Sequence, residues 1–274
     1  MSQQDITEYT GKNDNSTSES GYIPRKCIGF DIAADYAHFR RVGNNSAKPS
    51  YLIPPRTTVA GLLAGIMGMP RNSYYDLFGP DSSAVAVVPK NVPHTYTMGI
   101  TTVNTKADDA IQYLPEEKHY TKSAEMLTPE SYIKYDRQRD TYEMLVDPVY
   151  RVYVSLKDED VHEDLRERLE DSRYHYSPSL GLSECIAEIS SVDTHTVERK
   201  DVDTIDSASY DDSGVVPTPG VSIKRERAPL YMEQFDGGRR TTAFGNLTYV
   251  ADGGSLPVDG SRSYSVGPHD VAFY

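Results

Sequence analysis

The chain has 274 residues, enough for one large domain or two small ones with a substantial hydrophobic core. It carries 28 basic and 41 acidic side chains, and the net charge of −13 argues against a nucleic-acid partner unless the charge is unevenly placed. No run approaches the roughly 18 apolar residues of a membrane span and the N-terminus lacks a secretion-signal pattern, so we expect a cytoplasmic protein with no membrane partner.

Basic side chains concentrate in one stretch near the N-terminus. Residues 22–72 contain seven basic and two acidic side chains, a local charge of +5 that leaves −18 for the rest of the chain. This distribution is typical of a polyanion site on a halophilic protein, because an acidic surface aids solubility in strong salt, where the Debye length falls to about 3 Å. A chance fluctuation on an ordinary acidic protein is the alternative interpretation.

Apolar periodicity predicts the elements of the first half of the chain. Residues 1–21 are polar and aperiodic, as in a disordered tail. A strand is predicted at Lys26–Ala33, and a helix at Arg56–Met67, where apolar residues recur at i, i+3, i+4, i+7 and i+8 before Gly68, which suits a left-handed cap. Further strands are predicted at 84–88 and 96–103.

The second half continues the same alternation of elements. Residues 150–156 alternate strictly and predict a strand, 158–169 predict an amphipathic helix, and 184–190 predict another strand. This order is that of an α+β, ferredoxin-like (RRM-like, βαββαβ) domain over residues 22–192, with residues 104–149 inserted. Residues 193–274 are predicted to form an acidic linker, at 201–212, and a smaller β-rich region with a strand at 241–250.

Two segments carry residues suited to single-stranded RNA. A ferredoxin-like sheet is a common platform for stacking bases, and the first strand is followed by aromatic and basic side chains at His38, Phe39, Arg40 and Arg41. The loop at 177–183 offers small side chains and backbone N–H groups that can cradle phosphate. Packing of Phe39 in the core with solvated arginines, and an ordinary connecting loop, are the alternatives.

Few residues suggest other chemistry. The chain has no Walker, GxGxxG or GxSxG motif, and Cys27 and Cys185 lie far apart without metal-ligand spacing, so we expect no disulfide framework, metal or cofactor. Lys118 and His119 could together stabilise and protonate a phosphodiester transition state. Their acidic surroundings, PEEKHYTK, favour a solvated surface turn instead.

Four segments together resemble the Cas-five family of CRISPR-associated proteins, and more narrowly its subtype I-B, haloarchaeal kind. They are KCIGFDIAADYAHFRR, SYLIPPRTTVAGLLAGIMG, TYEMLVDPVYRVYVSL and SPSLGLSEC, of which PPRTTVAGLLAGIMG is the most specific. The resemblance implies a RAMP-superfamily fold and a place in the Cascade complex of antiviral defence. There the subunit would cap and bind the crRNA 5′ handle and contact the Cas-seven backbone subunit and the Cas-eight large subunit.

The resemblance also implies which residues contact RNA. They are His38, Phe39, Arg40, Arg41, Pro55, Arg56, Thr57, Ser179, Gly181 and Ser183. It implies no catalytic residue, because a separate Cas-six enzyme cuts the precursor in subtype I-B. Members of the I-C branch are endoribonucleases with a Tyr, Lys and His set, so metal-independent processing of pre-crRNA through Lys118 and His119 is the alternative function.

Overall fold

The computed structural model describes residues 21–41, 47–103, 137–210, 214–236, 238–260 and 262–274. Within these ranges the chain forms two helices and sixteen strands, and neither helix is long and apolar enough to cross a bilayer. In chain order they are β1 (Lys26–Ala33), β2 (Tyr36–Ala37), β3 (Phe39–Arg40), β4 (Ala47–Lys48), β5 (Ser50–Tyr51), α1 (Arg56–Met67), β6 (Ser83–Pro89), β7 (His94–Val103), β8 (Arg137–Val146), β9 (Val149–Leu156), α2 (Glu159–Glu170), β10 (Glu188–Arg199), β11 (Thr204–Ile205), β12 (Ile223–Phe235), β13 (Gly238–Val250), β14 (Leu256–Pro257), β15 (Tyr264–Val266) and β16 (His269–Val271).

A six-stranded antiparallel sheet organises the molecule, in the order β16-β15-β10-β1-β9-β6. Helix α1 connects β1 to β6, and α2 connects β9 to β10. The mixed α/β architecture predicted from the sequence is therefore present, with most elements being strands.

Both helices cover one face of this sheet. Val59, Leu63 and Ile66 of α1 are buried in the same core cluster as Leu165 and Leu169 of α2. The strand residues that meet them alternate along the chain, as the period of a strand requires: they are Ile28, Phe30, Ile32, Val152 and Val154. Full burial of such a side chain contributes about 1.5–3 kcal/mol, so this face supplies the main stabilisation of the fold.

Capping residues account for the start of α2 and the end of α1. Asp158 lies just before α2 and its carboxylate accepts the N–H groups of Asp160 and Val161, at 3.1 and 3.2 Å, so the helix starts one residue later than predicted. Helix α1 ends at Met67, and the cap residue Gly68 that follows has a left-handed φ of 74°, as predicted.

The C-terminal region joins the main sheet, which the sequence analysis did not predict. Strand β10 begins at Glu188 instead of residue 184 and continues to Arg199, so the predicted boundary after residue 192 lies inside one strand. Strands β15 and β16 extend the same sheet beyond β10. Ile205 and Ala208, in the stretch predicted to be a linker, are fully buried. Long-range packing therefore makes Ile205 and Ala208 part of the core.

The predicted insertion, residues 104–149, contributes strand β8, which pairs antiparallel with β7 just before the insertion. Strands β7 and β8 pair over ten residues each, from His94↔Val146 to Val103↔Arg137. The insertion was predicted to run to residue 149, but its last part belongs to β8 and to the start of β9. Residues 1–20 of the predicted tail, which runs to residue 21, and residues 104–136 of the insertion lie outside the described residues.

Candidate nucleic-acid interface

The structure brings together two of the three predicted RNA-binding segments. The backbone N–H of His38 donates to the carbonyl of Leu180 at 3.1 Å, which joins the end of β2 to the loop at 179–183. Gly181 has φ = +90°, and a methyl group on it would overlap the carbonyl oxygen of His38. The glycine is therefore required by a close approach of two backbones of this chain.

The other loop residues present polar groups at the surface. Ser183 is exposed, and its hydroxyl donates to the carboxylate of Glu184 at 3.2 Å. Ser179 is half-buried and pairs with Ile186 in an isolated bridge, which closes the loop. The loop at 179–183 is thus a short surface turn held against the end of β2.

The rings of His38 and Phe39 are buried, which corrects the prediction that they stack on bases. His38 is 1% exposed, with Nδ1 2.9 Å from the carbonyl oxygen of Glu143 and its ring edge-on to Tyr142. Burial lowers the pKa of His38, so the ring is neutral near pH 7 and contributes no positive charge. Phe39 is 2% exposed and packs against Tyr150, with ring centroids 6.0 Å apart, as the core interpretation requires.

The two arginines of this segment lie on the surface. Arg40 is exposed at the edge formed by β3 and β5. Arg41 is partly exposed, forms an ion pair with Glu226 at 2.7 Å, and has its guanidinium 5.5 Å from the centre of the Tyr51 ring. The Phe39–Arg41 segment therefore presents its positive charge outward and its aromatic ring inward.

Arg56 is a structural residue, and the prediction that its side chain contacts RNA is wrong. It is 1% exposed, and its guanidinium donates to the carbonyl oxygens of Phe78 at 3.2 Å, of Ser83 at 3.1 Å and of Tyr274. The ring of Tyr231 lies 5.0 Å away. Desolvation lowers its pKa, but the group stays charged because arginine titrates far above neutral pH.

The neighbours of Arg56 at the helix start are less exposed than an RNA contact requires. Pro55 is buried and is the N-terminal cap residue, without a side-chain capping bond. Thr57 is half-buried beside it. The backbone N–H of Arg56 instead donates to the hydroxyl of Tyr210 at 3.3 Å, so a distant segment completes this helix start.

Folding changes the positive stretch seen in the sequence. Three of its seven basic side chains form ion pairs with acids from other elements: Lys26 with Glu159, Arg41 with Glu226, and Lys48 with Asp140. Arg56 is buried, and Arg25, Arg40 and Arg71 are exposed. The exposed positive charge is therefore smaller than the local count of +5.

The helix-free face of the sheet carries a charged cluster whose members lie on different strands, so sequence spacing gives no sign of it. Arg151 forms ion pairs with Asp31 and Asp193 and donates to the carbonyl of Ser191 at 2.6 Å. The hydroxyl of Tyr153, which is fully buried, lies 2.7 Å from Nδ1 of His269. These groups form hydrogen bonds and ion pairs with one another and link adjacent strands. This part of the sheet therefore does not present aromatic rings for stacking.

The described residues contain no cluster of His, Cys, Asp and Glu side chains able to hold a metal ion. Cys27 and Cys185 are both buried and free, and burial raises the pKa of the Cys27 thiol to about 12. Neither thiol is a reactive group at neutral pH.

Comparison with known proteins identifies a related family and fold. A family model described as CRISPR-associated protein (Cas_Cas5) matches residues 27–241. The crystal structure of a CRISPR protein from Archaeoglobus fulgidus is 16% identical and has a TM-score of 0.50, over 90% of this chain and 98% of that one. A chain titled CRISPR RNA-guided surveillance complex is 12% identical, with a TM-score of 0.49 over 84% of this chain and 91% of that one. No curated protein matches the sequence.

Proposed function

The chain belongs to the CRISPR-associated Cas-five family, because the family model covers residues 27–241, and from this premise we propose that it is a non-catalytic subunit of a type I-B Cascade complex. In this proposal the subunit binds and caps the 5′ handle of the crRNA. It also contacts the Cas-seven backbone subunit and the Cas-eight large subunit, as the sequence resemblance implies.

One observation carries the RNA-binding part of the proposal. Arg40 and Arg41 have exposed side chains and directly follow His38 and Phe39. The loop at 179–183 is fixed to the same segment by the hydrogen bond from His38 to Leu180. Guanidinium groups bind phosphate through charge-assisted hydrogen bonds, and a small-residue loop allows a backbone to approach closely. Two segments distant in sequence thus form one candidate phosphate-binding edge.

The topology supports a ferredoxin-like unit within this proposal. The four strands β10-β1-β9-β6, with α1 after β1 and α2 after β9, have the connectivity of a βαββαβ unit. The helix-free face of this unit carries the Arg151 cluster, and β15 and β16 cover part of it through Val266 and Val271. We therefore place the RNA at the edge near Arg40 and not on the centre of the sheet.

The acidic surface suits the haloarchaeal setting that we propose. At high salt the screening length is a few ångströms, so a net charge of −13 does not repel RNA over long distances. Binding would then depend on short hydrogen bonds, stacking and fit.

The proposal predicts that crRNA purifies with the tagged chain and that Arg40→Ala reduces its yield. Loss of one exposed charge-assisted contact is expected to weaken RNA retention about fivefold, or roughly 1 kcal/mol, without lowering the melting temperature. Arg168→Ala is the matched control, because Arg168 pairs with Asp164 on the exposed side of α2. Absence of a discrete crRNA from the unaltered complex, or equal yields from both variants, would contradict the assignment.

We also propose that the chain does not cut RNA. Purified protein incubated with its repeat RNA, with or without divalent cations, is expected to leave the RNA intact, because His38 is buried and neutral and the Tyr153 hydroxyl is bonded to His269. Lys118 and His119 lie outside the described residues. Cleavage at a single repeat position that disappears in Lys118→Ala or His119→Ala would establish the endoribonuclease alternative.

A further inference from the structure

The hairpin formed by β12 and β13 exposes an unusual pair of side chains. The pairing Arg227↔Asn246 and Pro229↔Phe244 places Arg227 and Phe244 on the same face, with the guanidinium carbon 4.7 Å from the centre of the phenyl ring. Phe244 is 48% exposed although phenylalanine is usually buried. Strand alternation puts exposed Arg225 on this face too. We call Arg225, Arg227 and Phe244 the hairpin ledge.

The hairpin is a second positive stretch in an acidic chain. Residues 223–250 contain five basic and three acidic side chains, a local charge of +2 against −13 for the whole chain. Glu226 faces the other way and is held by Arg41 and by the hydroxyl of Tyr249, at 2.8 Å. The acidic group nearest in sequence to the ledge is therefore already paired on the inner face.

The strand that carries the ledge is linked to the Phe39–Arg41 segment of the proposed function. The hydroxyl of Tyr51 donates to the carbonyl of Arg227 at 2.7 Å, and Tyr51 pairs with Phe39 across β3 and β5. Arg41 lies over the same Tyr51 ring and bonds to Glu226. Through the buried Tyr51, the Phe39–Arg41 segment is hydrogen-bonded to the strand that carries the ledge.

The hairpin that carries the ledge packs against the core through its inner face. Ala228 and Leu247 on the inner face of the hairpin are fully buried in the main core, and α1 packs against β12. Because the backbone under the ledge is fixed, binding a ligand does not have to order the hairpin, which favours affinity.

We propose that the hairpin ledge is a second binding surface for single-stranded RNA, on the strand that Tyr51 links to the Phe39–Arg41 segment. A base stacks on the exposed ring of Phe244, and Arg227 and Arg225 bind the flanking phosphates. This inference rests on the proposed function, since it extends the path of the same RNA. A single strand fits because its bases are free to stack, whereas a duplex hides them. A protein interface of standard size needs a broader apolar core than one ring between arginines.

The test measures binding of the purified full chain to a labelled single-stranded RNA of about 12 nucleotides and mixed sequence, within the usual site size of such proteins. Phe244→Ala is expected to weaken binding about tenfold, as loss of one base-stacking contact does. Arg227→Ala is expected to reduce the slope of log Kd against log salt by about 0.7. Phe244→Leu, which keeps an apolar side chain but removes the ring, should resemble Phe244→Ala, and Phe244→Tyr should bind normally.

Two control variants lie on the same hairpin. Phe235 is 47% exposed near the turn, and Arg240 is exposed and paired with Glu233, so Phe235→Ala and Arg240→Ala should leave RNA affinity unchanged. Failure of the unaltered chain to bind the RNA overturns the proposed function and, with it, the ledge. Normal binding by the unaltered chain and equally by Phe244→Ala and Arg227→Ala overturns the ledge alone. An equal loss in Phe235→Ala, or loss of a protein subunit from the complex with unchanged RNA affinity, also overturns it.

Discussion

Replacement of Arg56 by alanine is expected to lower the free energy of unfolding by about 3–5 kcal/mol, because several buried acceptors lose their donor and each unsatisfied group costs about 1–3 kcal/mol. The reason is that the carbonyl oxygens of Phe78, Ser83 and Tyr274 lose their donor in a site that water does not reach. Urea denaturation followed by circular dichroism measures the change.

Two variants separate the structural role of Arg56 from a role in RNA binding. Arg56→Lys keeps the charge but lacks the planar set of donors, so an intermediate loss of stability is expected. Arg71→Ala removes an exposed arginine just after the same helix and should change the stability by less than about 0.5 kcal/mol. An Arg56→Ala protein that is as stable as the unaltered chain but loses crRNA would show that Arg56 contacts RNA directly.

Gly181→Val is expected to lower the free energy of unfolding by about 3 kcal/mol and to reduce the yield of crRNA. Two effects add: φ = +90° is unfavourable for a branched side chain, and the new Cβ would overlap the carbonyl of His38, which belongs to the backbone and cannot rotate away. Relief of the overlap moves the loop away from β2 and breaks the hydrogen bond from His38 to Leu180.

Gly220 provides the matched control for this prediction. Its φ is +84°, but a side chain there would meet no atom within 4 Å. Gly220→Val therefore carries only the backbone cost of about 1–2 kcal/mol, and the difference between the two variants measures the overlap at Gly181. Equal losses of stability in the two variants would contradict the close contact between the two backbones. A Gly181→Val protein that is less stable but gives a normal yield of crRNA would show that the loop does not bind RNA.

Periodicity and capping residues predict both helices and six of the sixteen strands of the described residues. The helix Arg56–Met67 and the strand Lys26–Ala33 were predicted with the bounds that the structure shows, because their apolar spacing and the terminal glycine act within a few residues of each other. The start of β10 was predicted four residues early, since Cys185 instead closes a turn by donating its N–H to Leu182.

Periodicity and capping residues do not predict whether the site side chains are exposed or buried. Sequence spacing places Phe39, Arg41 and Arg56 beside an element end, where either exposure or burial is possible. Arg56 is buried because segments up to 218 residues away along the chain supply its acceptors. The ledge was missed for a related reason: Arg227 and Phe244 become neighbours only through the pairing of β12 with β13.

Local sequence alone thus accounts for the two helices, for six of the strands and for the acidic composition, because helix and strand periodicity and residue charge are properties of short segments. The tertiary structure determines which charges remain exposed, because it pairs Arg41 with Glu226 and buries Arg56. It also decided that the loop of Gly181 meets the end of β2 and that β15 and β16 join the main sheet. These outcomes depend on contacts between distant segments, since the desolvation and pairing of a side chain are determined by whatever the completed fold packs against it.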